Sequence, residues 1–250
     1  MNNMKEYKIL QLNVWTGRIK GKLLEFIKNN NFDLICIQEA VWSENEEVLE
    51  IFSATVDQIK ECSNLQFESR TANWYTKAFN SIIYQGNAIL SREEIVDEII
   101  ELVYGEEKLA ENAKDLLNHC YKAQLIKLVS GLNVVNYHGY WLPSPVGDET
   151  TIKVMQNVTK MFKDITGPLV MCGDLNIIHE SPAMRELDFL IDLTHEYHID
   201  NTLNGLKYNG KVACDHILTS KDVETVKFEV LGTPVSDHKA LIATIRVSQI

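Results

Sequence analysis

The sequence predicts an α+β fold in which layers of β-sheet are flanked by helices. Many short apolar runs bounded by turn residues indicate strands, and amphipathic runs with helical spacing lie between them. Some successive strands are separated by such a helix, which indicates a crossover, whereas others meet at a short turn, which indicates a hairpin. A purely parallel, doubly wound sheet would not need the hairpins, so we expect a layered sandwich.

A strand, a helix and a second strand open the chain. Residues 8–15 form an apolar run with Asn13 near its end, and residues 32–39 form a buried-strand pattern that ends on Glu39. Between them, apolar residues recur with helical spacing over 19–30, which predicts an amphipathic helix. A crossover helix of this kind makes the two strands neighbours in one sheet.

The middle of the chain changes character. A second amphipathic helix is expected over 46–62, and strand patterns follow over 65–70 and 81–90. Residues 93–120 are rich in acids and have helical spacing in their second half. We expect this segment to be an inserted surface helix or lid at the rim of the substrate cleft.

The second half of the chain alternates strands and helices. Residues 123–129 and 132–141 are predicted strands that meet at Ser130 and Gly131, a hairpin signal. The remaining predicted elements are a helix over 150–165, a strand over 169–176, a helix beginning at 181 and ending near 193, and strands over 214–220, 226–231 and 240–247. Because no linker, charge block or repeat interrupts the pattern, we expect one domain over residues 1–250, with the insert at 93–120.

Charge and composition narrow the class of protein. The chain has 35 acids against 24 Lys and Arg, a formal net charge of −11. A protein that grips nucleic acid non-specifically is usually basic, so the charge argues against such a protein. The five cysteines are scattered without a Cys-x-x-Cys pair, which indicates neither a disulfide framework nor a zinc site.

The compartment follows from what the sequence lacks. No apolar run approaches the roughly 20 residues that a membrane span needs. The first residues lead into a strand without the apolar core of a signal peptide. We therefore expect a cytoplasmic monomer with no transmembrane segment and no protein partner.

The most informative stretch is the predicted strand over 169–176, which ends in Gly-Asp-Leu-Asn. Asp and Asn are depleted in strands, so their place at the end of a buried run indicates a task other than folding. Alternate residues of a strand project to the same face, which predicts that Asp174 and Asn176 lie side by side. We expect this strand to carry the catalytic base of a metal-dependent phosphoesterase.

Other polar groups complete such a site. Each has an ordinary explanation on its own, as a turn former, a solvated strand end or a hydrogen-bonded histidine. Together, Glu39 with Asn13 and Asp237 supply an open oxygen site for Mg²⁺, which leaves Asp174 free to orient and deprotonate a water.

Donors to the charged phosphoryl group come from two histidines, His138 and His238. Each would need a carboxylate to orient its ring, and Asp215 is available for one of them. Tyr140 and Trp141 follow His138 directly. They are expected either in the core or stacked on a base or ring of the substrate.

In chain order, these residues resemble the motifs of the endonuclease/exonuclease/phosphatase superfamily. The matching positions are Asn13, Ile37-Gln38-Glu39, the Gly-Asn-Ala-Ile-Leu-Ser-Arg run over 86–92, Asn136-x-His138, Gly173-Asp174-x-Asn176, Asp215-His216-Ile217 and Ser236-Asp237-His238. The resemblance covers nearly the whole chain. It implies the deoxyribonuclease-I-like fold, a four-layer α/β/β/α sandwich of two mixed β-sheets, and Mg²⁺-dependent hydrolysis of phosphate esters, with Mn²⁺ as a substitute.

The resemblance also implies roles for single residues. Glu39 is similar to the principal metal ligand, with Asn13 beside it and Asp237 as the acid near the metal. Asp174 is similar to the residue that positions the attacking water.

The phosphate contacts follow in the same way. Asn176 resembles a donor to the phosphate, and His238 resembles the phosphate-binding histidine that is hydrogen-bonded to Asp215. His138 matches the second histidine of the nuclease and phosphatase branches.

The substrate class stays open at this point. A nuclease or phosphodiesterase is one interpretation, and a phosphatase or phosphodiesterase of sugar phosphates, inositol phosphates or phospholipid headgroups is the alternative. The acidity favours a small phosphorylated molecule over duplex DNA. A non-catalytic binding scaffold is the third interpretation, since a fold does not fix a function. The complete set of polar residues argues against it.

Overall fold

Two six-stranded sheets packed face to face form the centre of the fold. The computed structural model of the chain describes residues 4–45, 49–78, 80–112, 115, 120–207 and 210–248. Helices cover the outer face of each sheet, which gives the four layers α/β/β/α. The predicted α+β sandwich of two mixed sheets is therefore confirmed.

The first sheet contains the first and the last strand of the described chain. Its strands are β1 (Met4–Asn13), β2 (Leu34–Ser43), β3 (Phe67–Ala78), β4 (Ser81–Ser91), β11 (Glu224–Leu231) and β12 (Ala240–Ser248). They lie in the order β11-β12-β1-β2-β4-β3. β1 and β2 are parallel, as the crossover helix between them predicts, and the other neighbours are antiparallel.

The second sheet is built from the middle of the chain. Its strands are β5 (Ile95–Tyr104), β6 (Tyr121–Leu128), β7 (Asn133–Tyr137), β8 (Leu169–Asp174), β9 (Ile191–Asp192) and β10 (Asp215–Thr219). They lie in the order β5-β6-β7-β8-β10-β9. β7 and β8 are parallel, and the remaining neighbours are antiparallel.

The described helices are shorter than the sequence predicts. They are α1 (Lys20–Lys28), α2 (Val56–Ser63), α3 (Glu149–Lys160) and α4 (Leu193–Glu196), with 3-10 turns at Trp15–Gly17 and Pro182–Leu187. α2 begins where the Thr55 hydroxyl accepts a hydrogen bond from the Gln58 amide, whereas residues 46–48 of the expected helix lie outside the described residues. None of the helices in the described part of the chain is both long and apolar enough to cross a membrane.

The segment 93–120 begins with a strand that the sequence analysis did not predict. β5 is the edge of the second sheet and pairs along its length with β6. Acids interrupt its Ile and Val residues, and most of its side chains are exposed. The expected helix in the second half of this segment falls largely on residues 113, 114 and 116–119, which lie outside the described residues.

Strand alternation decides which side chains face the space between the sheets. In β8, Val170 and Cys172 belong to the core between the sheets, while Leu169 and Met171 pack against the outer helices. Asp174 continues the inward-facing series, two residues after Cys172. The core between the sheets is apolar along most of its length and becomes polar where β1, β2, β7 and β8 end.

Candidate active site

A ladder of buried amides joins the two sheets beneath this polar end. Gln11 and Gln38 donate to each other across β1 and β2, with nitrogen to oxygen distances of 2.8 Å in both directions. Gln38 also donates to Asn136 Oδ1 in the opposite sheet at 2.6 Å. All three side chains are fully buried, so their mutual hydrogen bonds replace the water that they lose on folding. Gln38 lies in the Ile37-Gln38-Glu39 motif of the sequence, whereas Gln11 was not predicted to contribute.

Asp174 lies above the ladder with only 1% of its surface exposed. Asn13 Nδ2 donates to Asp174 Oδ2 at 3.0 Å, and the backbone N–H of Asn176 donates to Asp174 Oδ1 at 3.1 Å. The Nε2 atoms of His138 and His238 lie 3.6 and 3.7 Å from Oδ2. Burial alone would raise the pKa of Asp174, but the electrostatic influence of His238 and His138, together with these donors, outweighs burial and lowers the pKa below its ordinary value. Asp174 is therefore a carboxylate at neutral pH.

His238 is held by a second buried carboxylate. Its Nδ1 donates to Asp215 Oδ2 at 2.8 Å, and Asp215 is fully buried. Burial lowers the pKa of His238, yet the charges of Asp215 and Asp174 outweigh burial and raise the pKa to about 10. The ring is thus an imidazolium at neutral pH, with its Nε2 on the side of Asp174.

Glu39 owes its position to a break in β2. The pairing of β2 with β4 shifts between Ile37 and Ala40, and Glu39 has a left-handed φ of 51°. A non-glycine residue rarely adopts this conformation, and such strain tends to occur at functional sites. The break brings the Glu39 carboxylate to the end of β1, where Asn13 Nδ2 donates to Oε1 at 3.1 Å.

Asn176 lies in a tight contact between two segments. Its backbone is also left-handed, with φ at 57°, and its Nδ2 donates to the Gly139 carbonyl at 2.9 Å. The Gly139 amide in turn donates to the Asp174 carbonyl at 2.7 Å. A Cβ atom on Gly139 would lie 2.0 Å from the Leu175 carbonyl oxygen, so only glycine fits there. The second N–H of the Asn176 amide is left for a ligand.

These groups surround one large cavity of about 1000 Å³. Its lining includes most of the predicted site residues, namely Glu39, His138, Tyr140, Trp141, Asp174, Asn176 and His238. The other predicted residues, Asn13, Asp215 and Asp237, lie behind this surface and contact residues that line it. Tyr104, Tyr121 and Lys207 also line the cavity, and the sequence analysis did not predict their place there.

Comparison with known proteins identifies the family. The family model of the endonuclease/exonuclease/phosphatase family matches residues 10–238. The chain belongs to the endonuclease/exonuclease/phosphatase family. The predicted membership is therefore confirmed, and the family is one of phosphoesterases whose chemistry depends on a metal. A search of curated protein sequences gives no match.

Solved structures of the family share the fold at low sequence identity. An endonuclease/exonuclease/phosphatase from Beutenbergia cavernae is 13% identical with a TM-score of 0.72, over 98% of this chain and 72% of its own. The human Nocturnin catalytic domain, with a bound sulfate, is 16% identical with a TM-score of 0.66, over 96–97% of both chains. A mannosyl-6-phosphatase from Bacteroides thetaiotaomicron is 15% identical with a TM-score of 0.66, over 96% of this chain and 99% of its own.

The oxygen groups near Glu39 fit the hard cation that the family's chemistry implies. Burial raises the pKa of Asp237 above its ordinary value, and the charge of Glu39 raises it further, so two carboxylates repel each other here. Asn13 Oδ1 accepts one hydrogen bond, from the Trp15 amide, and keeps a second lone pair. A divalent cation would relieve the repulsion and accept oxygen ligands from all three side chains.

A second group of potential ligands fits a metal less well. Atoms of Asp174, Cys214, Asp215 and His238 lie within 4.8 Å of one another. However, Asp215 and His238 already form a hydrogen-bonded ion pair, and an imidazolium cannot bind a metal. Burial and the neighbouring carboxylates raise the pKa of Cys214, which keeps it a thiol. The Glu39 group is the better candidate.

Proposed function

We propose that this protein is a divalent-metal-dependent phosphoesterase that hydrolyses a phosphodiester or phosphomonoester by attack of water. The observation that carries the proposal is Asp174, a carboxylate kept ionised and almost fully buried at the floor of a large cavity. Its Oδ2 faces the nitrogen atoms of Asn13, His138 and His238. An ionised carboxylate in this setting is suited to orient a water and accept its proton.

The neighbours of Asp174 supply the binding of the phosphoryl group. His238 stays positively charged and donates from Nε2, and Asn176 donates from its amide. His138 is a further donor on the same side. Fixed donors at developing negative charge stabilise a transition state more than a substrate, which is how such groups accelerate a reaction.

Glu39, Asn13 and Asp237 would hold the cation, which we propose is Mg²⁺, with Mn²⁺ as a substitute. When bound, the cation polarises the phosphoryl oxygen and stabilises the leaving oxygen. The side chains that face the cavity then have separate tasks, because Glu39 binds the metal while Asp174 handles the water. Asp237 and Asn13 lie just behind the cavity surface and would complete the oxygen ligands of the cation with Glu39.

A phosphatase of a small phosphorylated molecule is the second candidate, and the charge of the cavity favours it over a nuclease. Among the described residues that line the cavity, Lys207 is the one Lys or Arg, against three acids. A long nucleic acid would need several cations along its backbone. The mannosyl-6-phosphatase among the structural relatives acts on a small molecule and supports this candidate.

The experiment is hydrolysis of bis(4-nitrophenyl) phosphate and 4-nitrophenyl phosphate with added Mg²⁺. We expect Asp174→Ala and Asp174→Asn to lower turnover by about 10²–10⁴-fold, the usual contribution of a general base. Asp164→Asn is the matched control, because Asp164 is exposed and lies outside the cavity. Undiminished turnover in the Asp174 variants would overturn the assignment of the base.

The same assay with a panel of substrates separates the candidate functions. Plasmid, single-stranded oligonucleotide, sugar phosphates, inositol phosphates and phospholipid headgroups are compared under one metal condition. Turnover that survives a chelator would overturn the metal dependence. Binding of phosphate esters without any turnover would favour the non-catalytic scaffold.

A further inference from the structure

One wall of the cavity is aromatic, and the chemistry proposed above does not use it. Tyr140 packs edge to face against Tyr104 and Tyr121, with ring centroids 5.0 and 5.3 Å apart. Trp141 lies next to them with 53% of its surface exposed, and Tyr104 is 42% exposed. All four side chains line the cavity that contains Asp174.

The wall has a fixed position relative to the phosphate-binding groups. Tyr140 and Trp141 follow Gly139. The Gly139 N–H donates to the Asp174 carbonyl, and the Gly139 carbonyl accepts from the side-chain amide of Asn176. Tyr104 comes from a different segment, the end of β5, and completes the wall from the edge of the second sheet. A phosphate held at Asn176 would therefore share one cavity with this wall.

The exposure of Trp141 and Tyr104 distinguishes these two rings from core aromatics. Tyr137 lies only three residues before Tyr140 and is buried in the core of the second sheet. Trp141 and Tyr104, in contrast, present large apolar surfaces to solvent inside a concave site. Exposed aromatic surface in a pocket is typical of a ligand-binding wall, because flat rings stack on it with favourable geometry.

The charges around the wall favour a neutral group over a second phosphate as its ligand. Glu106 lies on the same side of the cavity, and Lys207 is the one Lys or Arg among its described lining residues. A ligand with more negative charge beyond the first phosphate would be repelled by the Glu106 carboxylate. A neutral aromatic ring has no such cost.

We propose that Tyr104, Tyr140 and Trp141, with the buried Tyr121 packed behind Tyr140, bind the aromatic ring of the substrate, so that the preferred substrate is a phosphate ester that carries an aryl group or a nucleobase. This inference rests on the phosphoesterase function proposed above. Aromatic stacking at such a wall changes affinity by about tenfold per ring, the lower part of the range measured for bases on aromatic side chains.

The test is binding of phosphonates, whose carbon–phosphorus bond is not hydrolysed, measured by calorimetry with Mg²⁺ present. Phenylphosphonate and hexylphosphonate have equal numbers of carbon atoms, and methylphosphonate reports the phosphate site alone. We expect phenylphosphonate to bind about tenfold more tightly than methylphosphonate and several-fold more tightly than hexylphosphonate. Tyr104→Ala and Trp141→Ala should each remove most of the difference between the phenyl and methyl ligands.

Tyr197→Ala is the matched control, because Tyr197 is 44% exposed and does not line this cavity. It should leave the preference for the phenyl ligand intact. Equal binding of hexyl- and phenylphosphonate would overturn the proposal in favour of an alkyl or lipid group. An unchanged preference in both Tyr104→Ala and Trp141→Ala would overturn it as well.

Two further measurements keep the proposals separate. Hydrolysis of nitrophenyl esters without a preference for the phenyl ligand would support the phosphoesterase function and overturn the aromatic binding site. A preference for the phenyl ligand without any hydrolysis would support the aromatic binding site and overturn the phosphoesterase function. In Asp174→Asn, where substrates persist, tighter binding of thymidine monophosphate than of phenyl phosphate identifies a nucleobase as the ring, and the reverse identifies a simple aryl group.

Discussion

Strand β10 carries two Asp–His pairs on opposite faces. Asp215 faces the space between the sheets and binds His238 Nδ1 at 2.8 Å, whereas His216 faces outward and binds Asp192 Oδ2 through Nδ1 at 3.0 Å. The residue types and distances are nearly the same. The two rings differ in the surroundings of their second nitrogen. His238 Nε2 is on the side of the cavity, whereas His216 Nε2 donates to the Ile177 carbonyl at 2.9 Å.

This difference separates a functional histidine from a structural one. Both nitrogens of His216 face oxygen atoms that can only accept, so the buried ring must carry both protons and a positive charge. Burial lowers the pKa of His216, but Asp192 outweighs it and raises the pKa. No N–H of this ring is left for a substrate. His216 instead fixes the carbonyl of Ile177, the residue after Asn176.

Among the variants that separate the two histidines, His238→Gln should have the largest effect on turnover. Removing the cationic donor should lower turnover by about 10²–10³-fold, as loss of one preorganised donor does in other hydrolases. Steady-state hydrolysis of a nitrophenyl ester measures it. His198→Asn is the control, since His198 is exposed and asparagine tolerates its left-handed backbone. Turnover within twofold of the wild type would contradict the role of His238.

His216→Gln should act on stability and much less on turnover. The substitution breaks a buried ion pair and leaves the Asp192 charge with weaker partners, so we expect unfolding to become easier by about 3 kcal/mol. Urea denaturation measures this change, and turnover of the folded variant should stay within tenfold of the wild type. A loss of turnover as large as that of His238→Gln, in a stably folded variant, would refute the distinction between the two pairs.

The charge of the outward pair gives a smaller, pH-dependent effect. Burial raises the pKa of Asp192, but His216 and His179 outweigh it and lower the pKa from 3.8 to about 2. Because the folded pKa is the lower one, the stabilisation is present above pH 3.8 and is lost as the pH falls towards 2, about 2 kcal/mol in all. The ¹³C shift of the Asp192 carboxyl should titrate near pH 2, and a midpoint at or above 3.8 would disprove the ion pair.

The smallest expected effect is that of metal on the thermal stability of the two regions. Mg²⁺ at concentrations well above its dissociation constant should raise the melting temperature by a few degrees, because it binds only the folded chain. Glu39→Gln should abolish this shift, whereas His179→Asn, next to Asp192, should preserve it. If Mg²⁺ raises the melting temperature of Glu39→Gln as much as that of the wild type, the cation does not bind at Glu39.

Strand alternation made part of the site predictable. Asp174 and its partners follow from apolar runs that end on polar residues, because the period of a strand is fixed by its backbone. The position of Glu39 could not be derived in this way, since it depends on a break in the pairing of β2 with β4. A regular strand would have turned this side chain to the other face.

Contacts between distant segments could not be predicted from sequence patterns. The contact of His216 with Asp192 joins residues 24 apart through the pairing of β9 with β10, and β9 is only two residues long. β5 was missed because its acids, which are tolerated at an exposed edge, interrupt the apolar alternation that marks a strand. Its place at the sheet edge explains how Tyr104 reaches the cavity.

The most direct test of the account compares turnover and stability in Asp174→Asn and Asp192→Asn, two buried aspartates that each face two histidines. We expect Asp174→Asn to lose about 10²–10⁴-fold in turnover while it stays folded. Asp192→Asn should lose about 3 kcal/mol of stability and keep turnover within tenfold of the wild type. Full turnover in Asp174→Asn, or its loss in a folded Asp192→Asn, would contradict the account.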